Sequence, residues 1–155
     1  MILKNLRETK EFLKKFTKEI SDILKKKKNL VIIFSGHLGA GKTTFIKEIA
    51  KNLDIKCNIK SPSFVLWQIY PFYINNSRFY FHHIDLYRIP QQAILKLNLK
   101  KQIKEKGNLF LIEWGEKLEN YLKRAKINYI KISIKKENKF RYIDIKKYEK
   151  KNFNR

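Results

Sequence analysis

The chain has 155 residues, enough for one domain with a modest core, and carries a net charge of +22. Its single cysteine, Cys57, rules out an internal disulfide, and no apolar run is long enough to span a bilayer. Only six of the 36 basic residues are Arg, and the Lys are spread along the chain, so the charge reads as a solvated basic surface, with weak attraction for RNA as the alternative.

No signal-peptide pattern opens the sequence, because Lys4 and Arg7 lead into a charged amphipathic segment; a cytoplasmic location is expected. That segment, from about Glu8 to Lys26, predicts a helix. Phe12, Leu13, Phe16, Ile20, Ile23 and Leu24 share one face, and Thr9 stands at the expected N-cap. The apolar run Leu30 to Phe34, closed by Ser35, reads as a buried parallel strand.

Gly36-His37-Leu38-Gly39-Ala40-Gly41-Lys42-Thr43-Thr44 follows and fits G-x-x-x-x-G-K-[ST], the phosphate-binding P-loop. Phe45, Ile46, Ile49, Ala50 and Leu53 then recur at helical spacing. Strand, glycine loop and helix form the setting this motif requires. A triphosphate needs many donors aimed at one place. Glycines let the backbone N–H groups of Gly39 to Thr44 curl around it, and the helix adds its free N–H groups and positive dipole end. Lys42 is expected to reach the outer phosphates and Thr43 to offer its hydroxyl to Mg²⁺.

Ser61-Pro62-Ser63 supplies two hydroxyls for a phosphate or metal, or else is a turn before a strand. Phe64 to Tyr70 and Phe79 to Ile84 are aromatic and β-branched, and Pro71 and Asn75-Asn76-Ser77 lie between them; they predict two antiparallel strands. Asp85, just past the second, is well placed for a nucleotide site, or pairs with Arg88, or caps a helix. Gln91 to Glu105 predicts a helix with an imperfect apolar pattern, ended by Gly107. Leu109 to Ile112 is another buried strand, and Glu113 at its end has the form of an acid that holds Mg²⁺ or orients a water; Trp114 beside it reads as a packing residue. Lys126 to Ser133 and Lys139 to Ile145 alternate as two strands with Glu137-Asn138 at the turn, and residues 146–155 read as a frayed basic tail after a single domain over residues 1–145.

These residues define a small α/β protein that favours Mg²⁺–ATP hydrolysis. A kinase of a small molecule uses the same cradle, but no Arg-rich lid segment is present; a nucleotide-gated binding module without turnover is a third reading.

The blocks Glu8-Thr9-Lys10, Gly36 to Phe45, Ser61-Pro62-Ser63-Phe64, His83-Ile84-Asp85-Leu86-Tyr87-Arg88, Leu111-Ile112-Glu113-Trp114 and Arg141 occur in an order that resembles the TsaE (YjeE) family of tRNA threonylcarbamoyladenosine biosynthesis proteins. The resemblance implies a three-layer P-loop NTPase-like fold, with a central mixed, mainly parallel sheet and a C-terminal antiparallel hairpin. It implies an ATPase that works with the TsaB and TsaD partners on the adenosine next to the tRNA anticodon, touching tRNA only through that complex. By similarity, Lys42, Asp85 and Glu113 would serve catalysis, and Thr43 and Glu113 would hold Mg²⁺. Ser61, Pro62 and Ser63 would form a switch-like segment, and Thr9 and Arg141 would border the adenine. The chain departs from the family pattern at His37, which stands where the family usually has Asp. It departs again at Ile94-Leu95 and Leu97-Asn98, and at Gly115, where Pro is common.

Overall fold

A computed structural model describes residues 1–27, 29–56 and 66–149. Seven strands form one sheet in the order β1-β7-β6-β2-β5-β4-β3. They are β1 (Ile2–Leu3), β2 (Asn29–Ser35), β3 (Trp67–Ile74), β4 (Ser77–Asp85), β5 (Asn108–Glu113), β6 (Tyr129–Glu137) and β7 (Phe140–Tyr148). The four central strands, β6, β2, β5 and β4, run parallel, and antiparallel pairs close both flanks: β3 on β4, and β7 and β1 beyond β6. The α/β class, the mixed sheet and the C-terminal hairpin therefore match the expectation.

The two faces of the sheet separate by strand alternation. Ile32, Phe34, Leu109 and Leu111 point to a core shared with α1 (Leu6–Lys27) and α2 (Lys42–Asn52). Val31, Ile33, Phe110 and Ile112 point to a second core, shared with α3 (Gln91–Ile94), α4 (Leu99–Lys104) and α5 (Glu119–Arg124). Because β2 and β5 are buried on both faces, they are continuous apolar runs in the sequence. No helix among the described residues is long and apolar enough to cross a membrane.

Five details correct the sequence-based expectation. The first helix begins at Leu6, not Glu8, and its cap is Asn5, not Thr9. Asn5 Oδ1 accepts the Glu8 N–H at 2.9 Å while the Glu8 carboxylate accepts from Asn5 Nδ2 and the Lys4 N–H, a reciprocal capping box. Thr9 lies inside the first turn, where its hydroxyl donates to the Asn5 carbonyl at 2.9 Å. Pro71 does not separate two strands but sits within β3, at the sheet edge, where half of the N–H groups need no partner. The expected helix from Gln91 to Glu105 is broken into α3, a 3-10 turn (Leu95–Leu97) and α4, because Asn98 turns left-handed at φ 53°. Finally, β7 continues through Lys146, Lys147 and Tyr148, paired with β6, so the first residues of the expected tail are strand. The first expected strand after the P-loop falls partly on Phe64 and Val65, outside the described residues.

Tight turns fix the hairpin registers. Asn75 and Asn76, both left-handed (φ 48° and 63°), form the two-residue loop between Ile74 and Ser77.

Candidate nucleotide site

The site gathers at the C-terminal ends of β2, β4 and β5. Parallel pairing in register brings Phe34 beside Glu113, and Glu113 beside Asp85. The loop after β2 then returns through Gly41, the N-cap of α2, whose φ of 105° a side chain would strain. Gly36 is equally constrained, since a Cβ there would collide with the Ile134 carbonyl oxygen. The result is a cavity of about 710 Å³. Gly39, Gly41, Lys42, Thr43 and Thr44 line one wall, and Asp85, Tyr87, Arg88, Glu113 and Trp114 line the other. Ala40 is fully buried beneath the loop.

Within the cavity the polar groups are already engaged with one another. The Thr43 hydroxyl lies 2.8 and 2.9 Å from the two Glu113 carboxylate oxygens. Glu113 is only 3% exposed. Lys42 Nζ donates to the carbonyls of Gly36 (2.7 Å) and His37 (3.0 Å) and stands 3.9 Å from the Trp114 ring centroid. Burial lowers the Lys42 pKa, opposed by the negative charges of Glu113, Glu116 and Asp85. Asp85 shows the reverse: burial and the neighbouring Glu113 raise its pKa, while the Tyr87 N–H bonded to Oδ1 at 2.9 Å, His83 and Lys42 hold it down. That bond is an Asx turn, taken up in place of an Asp85–Arg88 pair.

The expected residues do not all meet here. Lys42, Thr43, Asp85 and Glu113 converge, with Gly39, Gly41 and Thr44 around them. Thr9 does not line this cavity; it is buried in α1. Arg141, on β7, does not line the cavity; its Nε packs beside Gly41 and, among the described residues, that atom is buried with no hydrogen-bond partner. Ser61, Pro62 and Ser63 lie outside the described residues. The side chain of His37 is exposed and lines none of the cavity.

Other participants were not singled out from the sequence. Trp114 is more than packing: it lines the cavity, faces Lys42, adopts φ 55° and lies 4.9 Å from the Tyr87 ring. The following Gly115 has no room for a side chain, because a Cβ would strike Ile33. Lys117 Nζ donates to the carbonyls of Leu86, Tyr87 and Ile89 and so ties the loop after β4 to the turn after β5. A lysine gripping carbonyls leaves no pattern in a sequence.

Fold and site together define an α/β protein with a glycine-rich, Lys-Thr-containing loop poised over a strand-end carboxylate. The sequence matches the family described as "Threonylcarbamoyl adenosine biosynthesis protein TsaE" over residues 3–143. A tRNA threonylcarbamoyladenosine biosynthesis protein TsaE from Rickettsia typhi is 38% identical over 147 residues, which cover 88% of this chain and 94% of its own. The protein of the same name from Rickettsia prowazekii is 38% identical over 122 residues, 77% of this chain and 76% of its own. That from Aquifex aeolicus is 41% identical over 85 residues, 54% of this chain and 59% of its own. The chain belongs to the TsaE family.

Proposed function

We propose that the protein binds ATP with Mg²⁺ and hydrolyses it slowly, under the control of TsaB and TsaD partners, in forming the threonylcarbamoyl group on tRNA adenosine. A cytoplasmic location and contact with tRNA only through that complex belong to the same reading. The observation that supports it most is the Thr43 hydroxyl within 2.9 Å of both oxygens of the buried Glu113, one residue from Lys42. A hydroxyl and a carboxylate are hard oxygen donors, the set Mg²⁺ takes from protein when phosphates complete its shell. When bound, Mg²⁺ neutralises charge on the phosphate oxygens.

In this reading the chain's own groups divide the work. The N–H groups of Gly39 to Thr44 and the start of α2 receive the phosphates. Lys42 exchanges its two carbonyl partners for phosphate oxygens. Thr43 and Glu113 hold the metal. Asp85, whose Oδ1 is fixed by the Tyr87 N–H and whose pKa is raised, orients the attacking water with its other oxygen. Arg141, whose Nε lies beside Gly41, and Thr9 border the adenine. Ser61, Pro62 and Ser63 serve as a switch-like segment.

The deciding experiment is ATP turnover in Mg²⁺ by the purified protein, alone and with a TsaB–TsaD pair. Turnover that rises with the pair supports both the ATPase and its pathway. ATP binding without turnover in either condition would overturn the hydrolase part and leave a nucleotide-gated module. A phosphorylated small-molecule product would favour a kinase.

A further inference from the structure

His83 takes no part in the roles above, although it is the most enclosed polar side chain at the site. It is completely buried in β4, and its Nε2 lies 2.9 Å from Glu113 Oε1. Its other nitrogen, Nδ1, is buried with no hydrogen-bond partner among the described residues. Register explains the placement. His83 pairs with Leu111, two residues before Glu113, and both point to the α1–α2 face. The imidazole thus forms the floor under the carboxylate, with core on its other side.

We infer that His83 is a positioning residue that holds Glu113 in the orientation needed for the metal, an inference that rests on the Mg²⁺–ATP reading above. The tautomer follows from the partners. Among the described residues its one hydrogen bond is to a carboxylate, which accepts, so Nε2 carries the proton and donates. A bare Nδ1 lone pair in the core costs less than a stranded N–H would. Glu113 Oε1 then receives two donors, His83 from below and Thr43 from the side. When the Thr43 oxygen turns a lone pair to a cation, its hydroxyl geometry changes. The His83 bond does not have to change, and it holds the carboxylate in place through the exchange. Partners of this kind behind a metal-binding carboxylate orient it and tune its affinity.

Removing the donor should therefore damage metal-dependent binding and spare the rest. The test compares His83→Leu, His83→Asn and His83→Gln by titration calorimetry with a non-hydrolysable ATP analogue, in Mg²⁺ and in EDTA. Gln can place its side-chain amide nitrogen, Nε2, near the position of the histidine Nε2; Asn is too short. The gain in affinity that Mg²⁺ gives the wild type should shrink about tenfold or more in His83→Leu and His83→Asn, the usual effect of losing such a partner. It should return in His83→Gln, while affinity in EDTA stays within about twofold for all folded variants, because the phosphate loop is untouched. Thermal unfolding checks each variant; should His83→Leu fail to fold, the Asn–Gln contrast decides. Equal Mg²⁺ gain in wild type and His83→Asn, or an equal loss in Mg²⁺ and EDTA, would overturn the positioning role while leaving the nucleotide site intact. A wild-type protein that binds no nucleotide would instead overturn the reading on which the role rests.

Discussion

His82 and His83 are neighbours in β4, both buried, and each bonds a polar residue of β5 on opposite faces of the sheet. His82 uses both nitrogens. Trp67 Nε1 donates to its Nδ1 at 3.0 Å, so Nε2 carries the proton and donates to Asn108 Oδ1 at 2.8 Å. Asn108 Nδ2 passes the chain on to the Gln102 and Glu105 carbonyls at the end of α4, and Asn29 completes it. His83 meets a carboxylate, leaves Nδ1 without a partner among the described residues and looks through Glu113 into the cavity. The first network is closed and neutral; the second is open, charged and incomplete. A buried polar group whose every bond is satisfied holds a fold together, whereas one kept with an unmet bond calls for a separate explanation, which for His83 is its hold on Glu113.

The largest effect should come from the open side. Lys42→Ala should lower nucleotide affinity by about a hundredfold, since charge-assisted bonds are worth about 1.5–3 kcal/mol each. The urea unfolding midpoint should change little, because the desolvation cost of the buried charge offsets its two carbonyl bonds and its contact with Trp114. Calorimetry and denaturation on one preparation check both parts. Unchanged affinity would remove Lys42 from the site.

Asn108→Ala should do the opposite. It strips His82 of its acceptor and two carbonyls of their donor, and should cost about 2–3 kcal/mol of unfolding free energy. Nucleotide affinity should be preserved. A drop in affinity matching that of Lys42→Ala would dissolve the distinction between the two networks.

The smallest effect is one of pH. Burial lowers the His82 pKa, against the Asn108 bond that raises it. With the folded pKa below the unfolded one, the neutral ring's contribution is complete above about pH 6.5 and is lost as pH falls, because the unfolded chain takes up the proton first. Protonation would also end the Trp67 bond, since Nδ1 could no longer accept. Between about pH 7.5 and pH 5, straddling the ordinary histidine range, the stability of the wild type should fall more steeply than that of His82→Gln. Parallel slopes would show that His82 does not set this dependence.

How much of this could be read in the sequence follows from what each feature depends on. The strand, glycine loop and helix around Lys42 were legible because spacing alone dictates them. Glu113 was legible as the last residue of an apolar strand. The cap of α1 was misread because Thr9 is a good cap in isolation, while Asn5 and Glu8 win through two bonds to each other and a third from the Lys4 N–H to Glu8. The break at Asn98 was visible only as a flaw in helical spacing, since left-handed Asn is a choice made by the surrounding packing. The role of His83 was beyond reach. It depends on β4 lying beside β5 in one register, and a slip of one residue would send His82 to Glu113's face instead.

The chain has two tryptophans, and the two networks hold one each. Trp67 is bonded to His82 on the closed side, and Trp114 lies against the Lys42 ammonium on the open side. An indole's emission shifts with the charge beside it. Withdrawal of Lys42 toward a phosphate would therefore recolour Trp114 and leave Trp67 unchanged until the fold itself gives way. The molecule thus carries separate optical signals for ligand arrival and for unfolding.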